Sequence, residues 1–153
     1  MVGIGLIVAG LMPILGPVQV PGMIVVAERI VWCGPGWRAE FRDTTVRQRV
    51  RDTCLRPRDY ERRYAIQDDN WSKISGAIRE SEFWSLPERI DVSNPDGTIT
   101  VVTDDDDMCI DVSAPQQRRR VCGSAFALGH TDLGRRFMRV WAELVQIAPE
   151  PKP

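Results

Sequence analysis

The sequence predicts an α+β fold in which an antiparallel β-sheet carries two helices packed on one face. Three observations support this prediction. Uncharged and charged residues alternate with a period of two over residues 46–51, with Val46, Gln48 and Val50 between arginines, as in a half-buried strand. Apolar residues recur at helical spacing in two separate segments. Short strand-like segments bounded by turn residues lie between those two helices.

The composition is that of a single folded domain. The chain has 153 residues, of which 43% are hydrophobic and 27% are charged, and a chain of this length can bury a substantial core. Its 20 Lys and Arg residues nearly balance its 21 Asp and Glu residues, which gives a net charge of -1. Nucleic-acid binding is disfavoured because it depends on a basic surface field.

Residues 1–27 are predicted to be a signal peptide or an N-terminal anchor. An apolar stretch runs from Val2 to Leu15, and the first charged side chain is Glu28. The stretch is shorter than the ~20 residues that a bilayer-spanning helix needs. Val25 and Ala27 supply the small residues of a cleavage site. No basic residue precedes the stretch, and glycine and proline interrupt it, so a buried N-terminal strand pair or an uncleaved anchor is the alternative.

Four early strand-like segments are expected to form one part of the sheet. They span residues 28–33, 37–42, 46–51 and 60–66, with a Gly-Pro turn after the first. In the third segment the alternation places Arg47, Arg49 and Arg51 on one face. A phosphate-binding row is one interpretation of these arginines. A solvated face neutralised by nearby aspartates such as Asp59 is favoured over it.

Asp68 or Asp69 is predicted to cap the first helix, because either carboxylate can accept the free N–H groups of the first turn. Trp71, Ile74 and Ile78 then fall on one stripe of that helix, which indicates that one side of it faces the core. Gly76 weakens this first helix by ~1 kcal/mol relative to Ala, which indicates close packing there.

An aromatic segment follows the helix. Phe83, Trp84 and Leu86 bring large apolar side chains to a position where Pro87 prevents further helix. We interpret the segment as a plug between helix and sheet, and an exposed aromatic recognition patch is the alternative.

The segment from residue 98 to residue 122 has the most constrained register. If residues 114–117 form a hairpin loop, Cys109 lies opposite Cys122 and Asp111 lies opposite Arg120 on one face of the sheet. The same construction across the acidic residues 104–107 adds a third strand to a meander. The predicted core face comprises Ile99, Val101, Met108, Ile110, Val112 and Val121. The predicted outer face comprises Thr100, Val102, Asp111, Arg120 and the two cysteines.

A last helix is predicted after a loose connection at residues 123–129. Thr131 or Asp132 can cap it, and Pro149 ends it. Its apolar stripe comprises Leu133, Phe137, Val140, Trp141, Leu144 and Ala148. Residues 28–148 thus form a single α+β domain, and residues 149–153 are expected to be a disordered tail.

The four cysteines are predicted to form two disulfides. The hairpin register places Cys109 directly opposite Cys122, which leaves Cys33 to pair with Cys54. Two structural disulfides are typical of an exported protein. Four reduced cysteines in a cytoplasmic protein are the alternative. A zinc site is disfavoured, because the sequence has no C-x-x-C pair and a single histidine.

No catalytic, cofactor-binding or metal-binding residue is predicted. His130 precedes the last helix, but no nucleophile motif such as G-x-S-x-G accompanies it. The acidic run at residues 104–107 lacks the alternating ligand spacing of calcium loops, so a solvated turn is favoured. The isolated glycines match no nucleotide-binding fingerprint.

The order of these features resembles a plan found among small bacterial proteins, often exported, that have no assigned activity. The plan comprises a helix with Trp71, the run Phe-Trp-Ser-Leu-Pro at residues 83–87, Asp96 with Gly97, a strand, and a closing amphipathic helix. It covers roughly residues 60–148. The resemblance implies no functional residue, and the cysteines are not part of the plan.

The sequence therefore favours a non-enzymatic binding or structural role in the bacterial envelope, with a protein or envelope component as partner. The predicted binding face is the outward side of the last hairpin, with Asp111, Arg118 and Arg120. A periplasmic or secreted location is expected, with a membrane-anchored or cytoplasmic one as the alternative. Membrane contact would involve only an uncleaved N-terminal segment. The opposing hypothesis is a small hydrolase or thiol enzyme that uses His130 or a free cysteine.

Overall fold

The computed structural model describes residues 21–52, 54, 58–102 and 105–151. Its nine strands are β1 (Ile24–Ile30), β2 (Pro35–Arg42), β3 (Thr45–Asp52), β4 (Arg58–Ala65), β5 (Arg89–Ile90), β6 (Val92–Ser93), β7 (Ile99–Thr100), β8 (Asp107–Ala114) and β9 (Gln117–Ser124). Its α-helices are α1 (Asp68–Glu80), α2 (Ala125–His130) and α3 (Asp132–Ile147), and a short 3₁₀ helix spans Phe83–Ser85. The expected α+β class is confirmed.

Seven of the strands form one large sheet. Their order across it is β4-β3-β2-β1-β8-β9-β5, and every neighbouring pair is antiparallel except the short parallel pair of β5 and β9. β6 and β7 form a separate two-stranded sheet. β1 is central, and its Val25 lies opposite Phe41 on one side and Val112 on the other.

The expected boundary between residues 27 and 28 falls inside β1. Val25 and Ala27 are fully buried, and both neighbouring strands pair with this part of β1. The small apolar residues that suggest a cleavage site are equally suited to a central strand that is buried in a sheet. The folded domain thus begins before residue 28. Residues 1–20 lie outside the described residues, so a leader in that segment stays a prediction.

The register expected for the last hairpin is confirmed. Cys109 lies opposite Cys122 and Asp111 opposite Arg120, and one further pair closes the loop to two residues. The alternation of side chains therefore separates an apolar face from a polar face along both strands, as the sequence predicts.

The prediction that a third strand of the meander pairs with β8 is wrong. Ile99 pairs with β6 instead of β8, and the predicted core residues Ile99 and Val101 are 54% and 78% exposed. β8 pairs with β1 on that side, so Ile110 faces Ala27. A seven-residue pairing with an apolar strand buries far more apolar surface than a two-residue pairing can. The sequence interpretation had assigned the first half of β1 to a leader.

One face of the large sheet forms the core together with the helices. We call it the core face, and its buried residues are Val25, Ala27, Trp37, Ala39, Phe41, Val46, Val50, Met108, Ile110, Val112 and Val121. The predicted helical stripes belong to the same buried cluster, except that Leu133 is 37% exposed. Trp141 of α3 contacts Trp37 edge to face, with 5.3 Å between the ring centroids.

The aromatic segment after α1 fills part of this core, as expected. Phe83 and Leu86 are fully buried, and Trp84 packs partly buried against the cluster. Arg119 on β9 fixes the segment, since its Nε donates a 2.9 Å hydrogen bond to the Leu86 carbonyl oxygen. This segment therefore does not form the exposed recognition patch that was the alternative interpretation.

The N-terminal caps of α1 and α3 follow the sequence prediction in one case only. Thr131 caps α3, because its Oγ1 accepts a 2.9 Å hydrogen bond from the Gly134 backbone N–H. For α1 the residue at the cap is Gln67 rather than an aspartate, and its backbone N–H donates to Asn70 Oδ1 at 3.1 Å. The expected loose connection before α3 is instead the end of β9 followed by α2.

The expected disordered tail is partly packed. The Pro149 carbonyl oxygen accepts a 2.6 Å hydrogen bond from the buried Gln48 side chain. Glu150 accepts a hydrogen bond from Trp141 Nε1 at 2.9 Å and forms an ion pair with Arg29. Buried polar groups need partners, and these tail residues supply them. Residues 152 and 153 lie outside the described part of the chain.

Candidate functional site

The face of the large sheet opposite the core is strongly charged, and we call it the outer face. The strand registers place its residues on that side. They include Glu28, Gly36, Arg38, Glu40, Arg47, Arg49, Arg51, Asp59, Glu61, Arg63, Cys109, Asp111, Arg118, Arg120 and Cys122, and the same registers also place Ile24, Val26, Ile30, Arg42, Thr45 and Asp107 there. The period-two alternation of the strands produces this separation, because successive side chains of a strand point to opposite faces of the sheet.

Two disulfides fix the outer face and its margin, and both expected pairings are confirmed. Cys109 with Cys122 joins β8 to β9 on the face itself. Cys33 with Cys54 joins the β1–β2 loop to the chain after β3, with 5.4 Å between the Cα atoms. All four cysteines of the sequence are bonded in this way. A thiol nucleophile would require reduction of one of these bonds.

The predicted binding residues Asp111 and Arg118 form a close ion pair. Arg118 Nη2 lies 2.6 Å from Asp111 Oδ2, and Nε lies 3.1 Å from Oδ1, which is the bidentate geometry of guanidinium with carboxylate. The Asp111 side chain is only 8% exposed, whereas that of Arg118 is 73% exposed. The hydrogen bond that Arg118 donates to Asp111 raises the pKa of Arg118. Asp111 therefore lies beneath Arg118 and presents little surface of its own.

The third predicted residue, Arg120, contacts a different acid. Its Nη2 lies 3.2 Å from Glu28 Oε2, and Glu28 Oε1 accepts from Arg38 Nη1 at 3.3 Å. Glu28 thus connects the last hairpin to β2 across the central strand. The sequence places residue 28 at the start of a strand, but it does not indicate that this strand pairs with the last hairpin, so Glu28 and Arg38 are not predicted as part of the site.

The arginine row of β3 is largely neutralised by β4, as the favoured interpretation expected. Arg47 Nη2 lies 2.7 Å from Glu61, and Arg49 Nη2 lies 2.8 Å from Asp59. The hydrogen bond from Arg49 lowers the pKa of Asp59, with a further contribution from the charge of Arg51. The hydrogen bond from Arg47 likewise lowers the pKa of Glu61. Both acids are therefore charged at neutral pH.

A depression of about 320 Å³ opens where this row approaches the β1–β2 loop. We call it the arginine depression, and the outer-face residues that line it are Gly36, Arg38, Arg49 and Arg51, with Glu28 at one side. Ile30 and Val31 supply an apolar wall. Trp32, beside that wall in sequence, is 74% exposed. The usable sequence signal was Gly36, because a glycine within a strand often marks a close approach of a ligand or backbone.

His130 lies apart from the outer face. Its Nδ1 is 2.8 Å from the Phe126 carbonyl oxygen, and its ring stacks on that of Phe126 with 4.3 Å between centroids. Both contacts lie within α2. Within the described part of the chain, no serine or cysteine side chain forms a hydrogen bond with this imidazole.

The described carboxylates of the acidic run have protein partners. Asp105 Oδ2 accepts a 2.7 Å hydrogen bond from the Phe126 backbone N–H, and Asp106 pairs with Arg29 at 2.9 Å. Asp107 pairs with Arg89 at 2.9 Å. Asp104 lies outside the described residues. Among the residues that the structure describes, no group of three or more His, Cys, Asp or Glu side chains is arranged to hold a metal ion.

Comparison with known proteins gives no relative: no protein-family model matches the chain, and no curated protein shows significant similarity to it. The helices in the described ranges include none with the length and apolar character needed to cross a membrane. The two disulfides are compatible with an extracellular location.

Proposed function

We propose that this protein is a non-enzymatic binding domain of the bacterial envelope, periplasmic or secreted, that holds a protein or envelope component on its outer face. The observation that carries the proposal is the division of one sheet into a covered and a charged side. The helices contribute their buried side chains to the core face. On the outer face, Arg38, Arg47 and Arg49 keep 46%, 58% and 53% of their side-chain surface exposed.

The rigidity of this face supports a binding role. The face lies on hydrogen-bonded strands, and Cys109 with Cys122 ties two of them together. A surface that is held rigid loses little conformational entropy when it binds, so more of the interaction energy appears as affinity. Aligned charges of both signs provide electrostatic complementarity, which gives specificity and a fast association rate.

A retention experiment tests this function. The immobilised protein is incubated with envelope extract, and the bound components are quantified for the wild type and for an outer-face variant, Arg47→Gln with Arg120→Gln. We expect the variant to lose about tenfold of any specific retained component, because each exposed arginine contributes a charge-assisted contact. Both arginines are about half exposed, so the variant is expected to fold.

The matched control removes two arginines from the helical side, with Arg79→Gln and Arg139→Gln. These residues lie on α1 and α3, and their loss changes the net charge by the same amount. Equal loss of retention in both variants would indicate a general effect of net charge. Full retention by the outer-face variant would refute the proposed binding surface.

The proposed location has its own test. The protein is isolated from its native compartment with thiols blocked during lysis, and is then denatured without reduction. We expect none of the four cysteines to react with a thiol reagent before reduction and all four to react after it. Four reactive thiols before reduction would contradict an exported location and would restore the thiol-enzyme hypothesis.

A further inference from the structure

We propose that the arginine depression is a binding site for a phosphate group, either free or as an ester. This inference rests on the proposed binding function, because the depression is part of the outer face. It adds to that function the chemical class of one ligand group and the residues that would contact it. Arg38, Arg49 and Arg51 are the donors, and Gly36 is the floor.

Gly36 creates the space for the ligand. It lies in β2 directly opposite Arg51, with Arg38 two residues further on the same face. A Cβ atom at Gly36 would lie 3.4 Å from the Arg51 carbonyl oxygen and 3.6 Å from that of Arg29, in van der Waals contact with both. A protein with a small side chain at this position would therefore fold normally, but the side chain would occupy the bottom of the depression. The backbone requires no glycine here, since the residue does not have a positive φ.

The charges around Gly36 are out of balance. Arg38 and Arg49 lie directly opposite each other on adjacent strands, and like charges in that position disfavour strand pairing. Arg51 forms no salt bridge or side-chain hydrogen bond with any residue in the described ranges. Glu28 neutralises both Arg38 and Arg120, and Asp59, which forms an ion pair with Arg49, also lies directly opposite Arg51. Two carboxylates thus serve four guanidinium groups, and an anion over Gly36 would complete the balance.

Phosphate is the anion that fits this set of donors. A guanidinium group presents parallel N–H donors that match two oxygens of one phosphate or carboxylate. A tetrahedral oxyanion can accept from donors that approach on several sides, and three arginines line the depression. Phosphate also carries more charge than a single carboxylate near neutral pH, so it can compete with Glu28 and Asp59. Ile30 and Val31 would contact the organic part of an ester.

Titration by ¹H–¹⁵N NMR spectroscopy tests the site. The whole protein is titrated with sodium phosphate, and a parallel series uses sodium chloride at equal ionic strength. We expect the Gly36 amide and the Arg38, Arg49 and Arg51 side-chain Nε–H signals to shift in a saturable manner with phosphate only. A second series with glycerol 3-phosphate separates the two sources of the group. Tighter binding of the ester indicates a phosphorylated molecule or polymer, and equal binding indicates free phosphate.

Two variants probe the charge and the space separately. Arg51→Gln removes one donor and is expected to weaken phosphate binding about tenfold, as the loss of a charge-assisted hydrogen bond does. Gly36→Ala keeps every arginine and is expected to weaken binding by a similar factor because the methyl group occupies the floor. Arg63→Gln is the matched control: it makes the same change of charge on the outer face, outside the depression, and is expected to change the affinity less than twofold.

The outcomes separate this inference from the proposed function. Phosphate shifts that equal those in chloride, or that persist unchanged in both Arg51→Gln and Gly36→Ala, would overturn the phosphate site. An equal loss of phosphate affinity in Arg63→Gln would mean that the whole charged face attracts phosphate in a general way. This result would also overturn the proposed site. If envelope retention by the outer face persists in either case, the binding function stands without this ligand. If retention is also absent, both proposals fail.

Discussion

The two residues of the Arg118–Asp111 ion pair differ strongly in their exposure to solvent. Asp111 is buried on the outer face, and the exposed Arg118 covers it. A buried carboxylate that loses its partner is costly, because it then has neither water nor a counter-charge. A substitution of Arg118 should therefore lower stability mainly because it leaves the buried Asp111 carboxylate without a counter-charge.

The first prediction uses this asymmetry. We expect Arg118→Gln to lower the free energy of unfolding because it leaves the buried Asp111 carboxylate without a partner, and Asp111→Asn in the same chain to recover part of that loss. Chemical denaturation of the two single variants and the double variant measures the coupling. Arg63→Gln is the exposed control, since its partner Glu61 also pairs with Arg47. A loss in Arg118→Gln no greater than in this control would contradict the burial of Asp111.

The second prediction concerns pH. Arg49 and Arg47 lower the pKa values of Asp59 and Glu61 below their usual 3.8 and 4.5. A carboxylate whose pKa is lower in the folded state contributes stability above its unfolded pKa and loses it as the pH falls through the folded value. We expect the double variant Arg47→Gln with Arg49→Gln to be less stable than the wild type near neutral pH and equally stable well below pH ~3. Denaturant titrations across this range measure the difference, and a gap that persists in acid would exclude these carboxylates as its cause.

At the scale of elements, two glycines that look alike in the sequence have opposite roles. Gly134 in α3 lies against the backbone of Leu128 in α2, where an added Cβ would collide with main-chain atoms. Gly76 in α1 has no atom within 4 Å of the position that a Cβ would take. The close packing predicted at Gly76 is therefore wrong, and the glycine that permits close approach of two helices is Gly134.

These two positions give the third prediction as a matched pair. Gly134→Ala should lower the free energy of unfolding by about 2 kcal/mol or more, because rigid backbone atoms must move. Gly76→Ala should raise it by about 0.5–1 kcal/mol through helix propensity and a less flexible unfolded chain. Thermal and denaturant unfolding measure both. Similar effects from the two substitutions would contradict the contact between α2 and α3.

Local patterns predicted those elements whose partners are close in sequence. The β8–β9 hairpin, the strand alternation in β3 and the apolar stripes of α1 and α3 follow from periods that each segment carries by itself. The partner of β8 could not be predicted in this way. β1 lies about eighty residues earlier, and an apolar run at a chain start is typical of a leader as well as of a buried strand.

The candidate site was only partly predictable for the same reason. Asp111 and Arg120 share a hairpin, so their common face follows from its register. Arg38 meets Glu28 through the pairing of β1 with β2, whereas Arg120 reaches the same carboxylate only because β8 pairs with the other edge of β1. The charged residues of both groups are visible in the sequence, but their joining into one face depends on the order of strands across the sheet.

At the scale of the whole molecule, both ends of the described chain complete the same core. β1 provides the centre of the sheet, and Pro149 and Glu150 satisfy polar groups near the opposite end of the chain. Burial alone would lower the pKa of Arg29, but the hydrogen bonds and charges of Glu150 and Asp106 outweigh that effect and raise it. Glu150 also accepts from Trp141. The residues after α3 therefore connect the last helix to the central strand.

The fourth prediction tests this connection. Glu150→Gln keeps the size of the side chain but removes the charge that Arg29 contacts, and we expect it to lower the free energy of unfolding by about 1–2 kcal/mol. Glu88→Gln is the control, because Glu88 is exposed and forms no ion pair within the described residues. Denaturant unfolding of both variants gives the difference. A disordered tail would make the two substitutions equally neutral. A packed tail makes Glu150 contribute to the stability of the whole domain, since its ion pair joins the residues after α3 to β1.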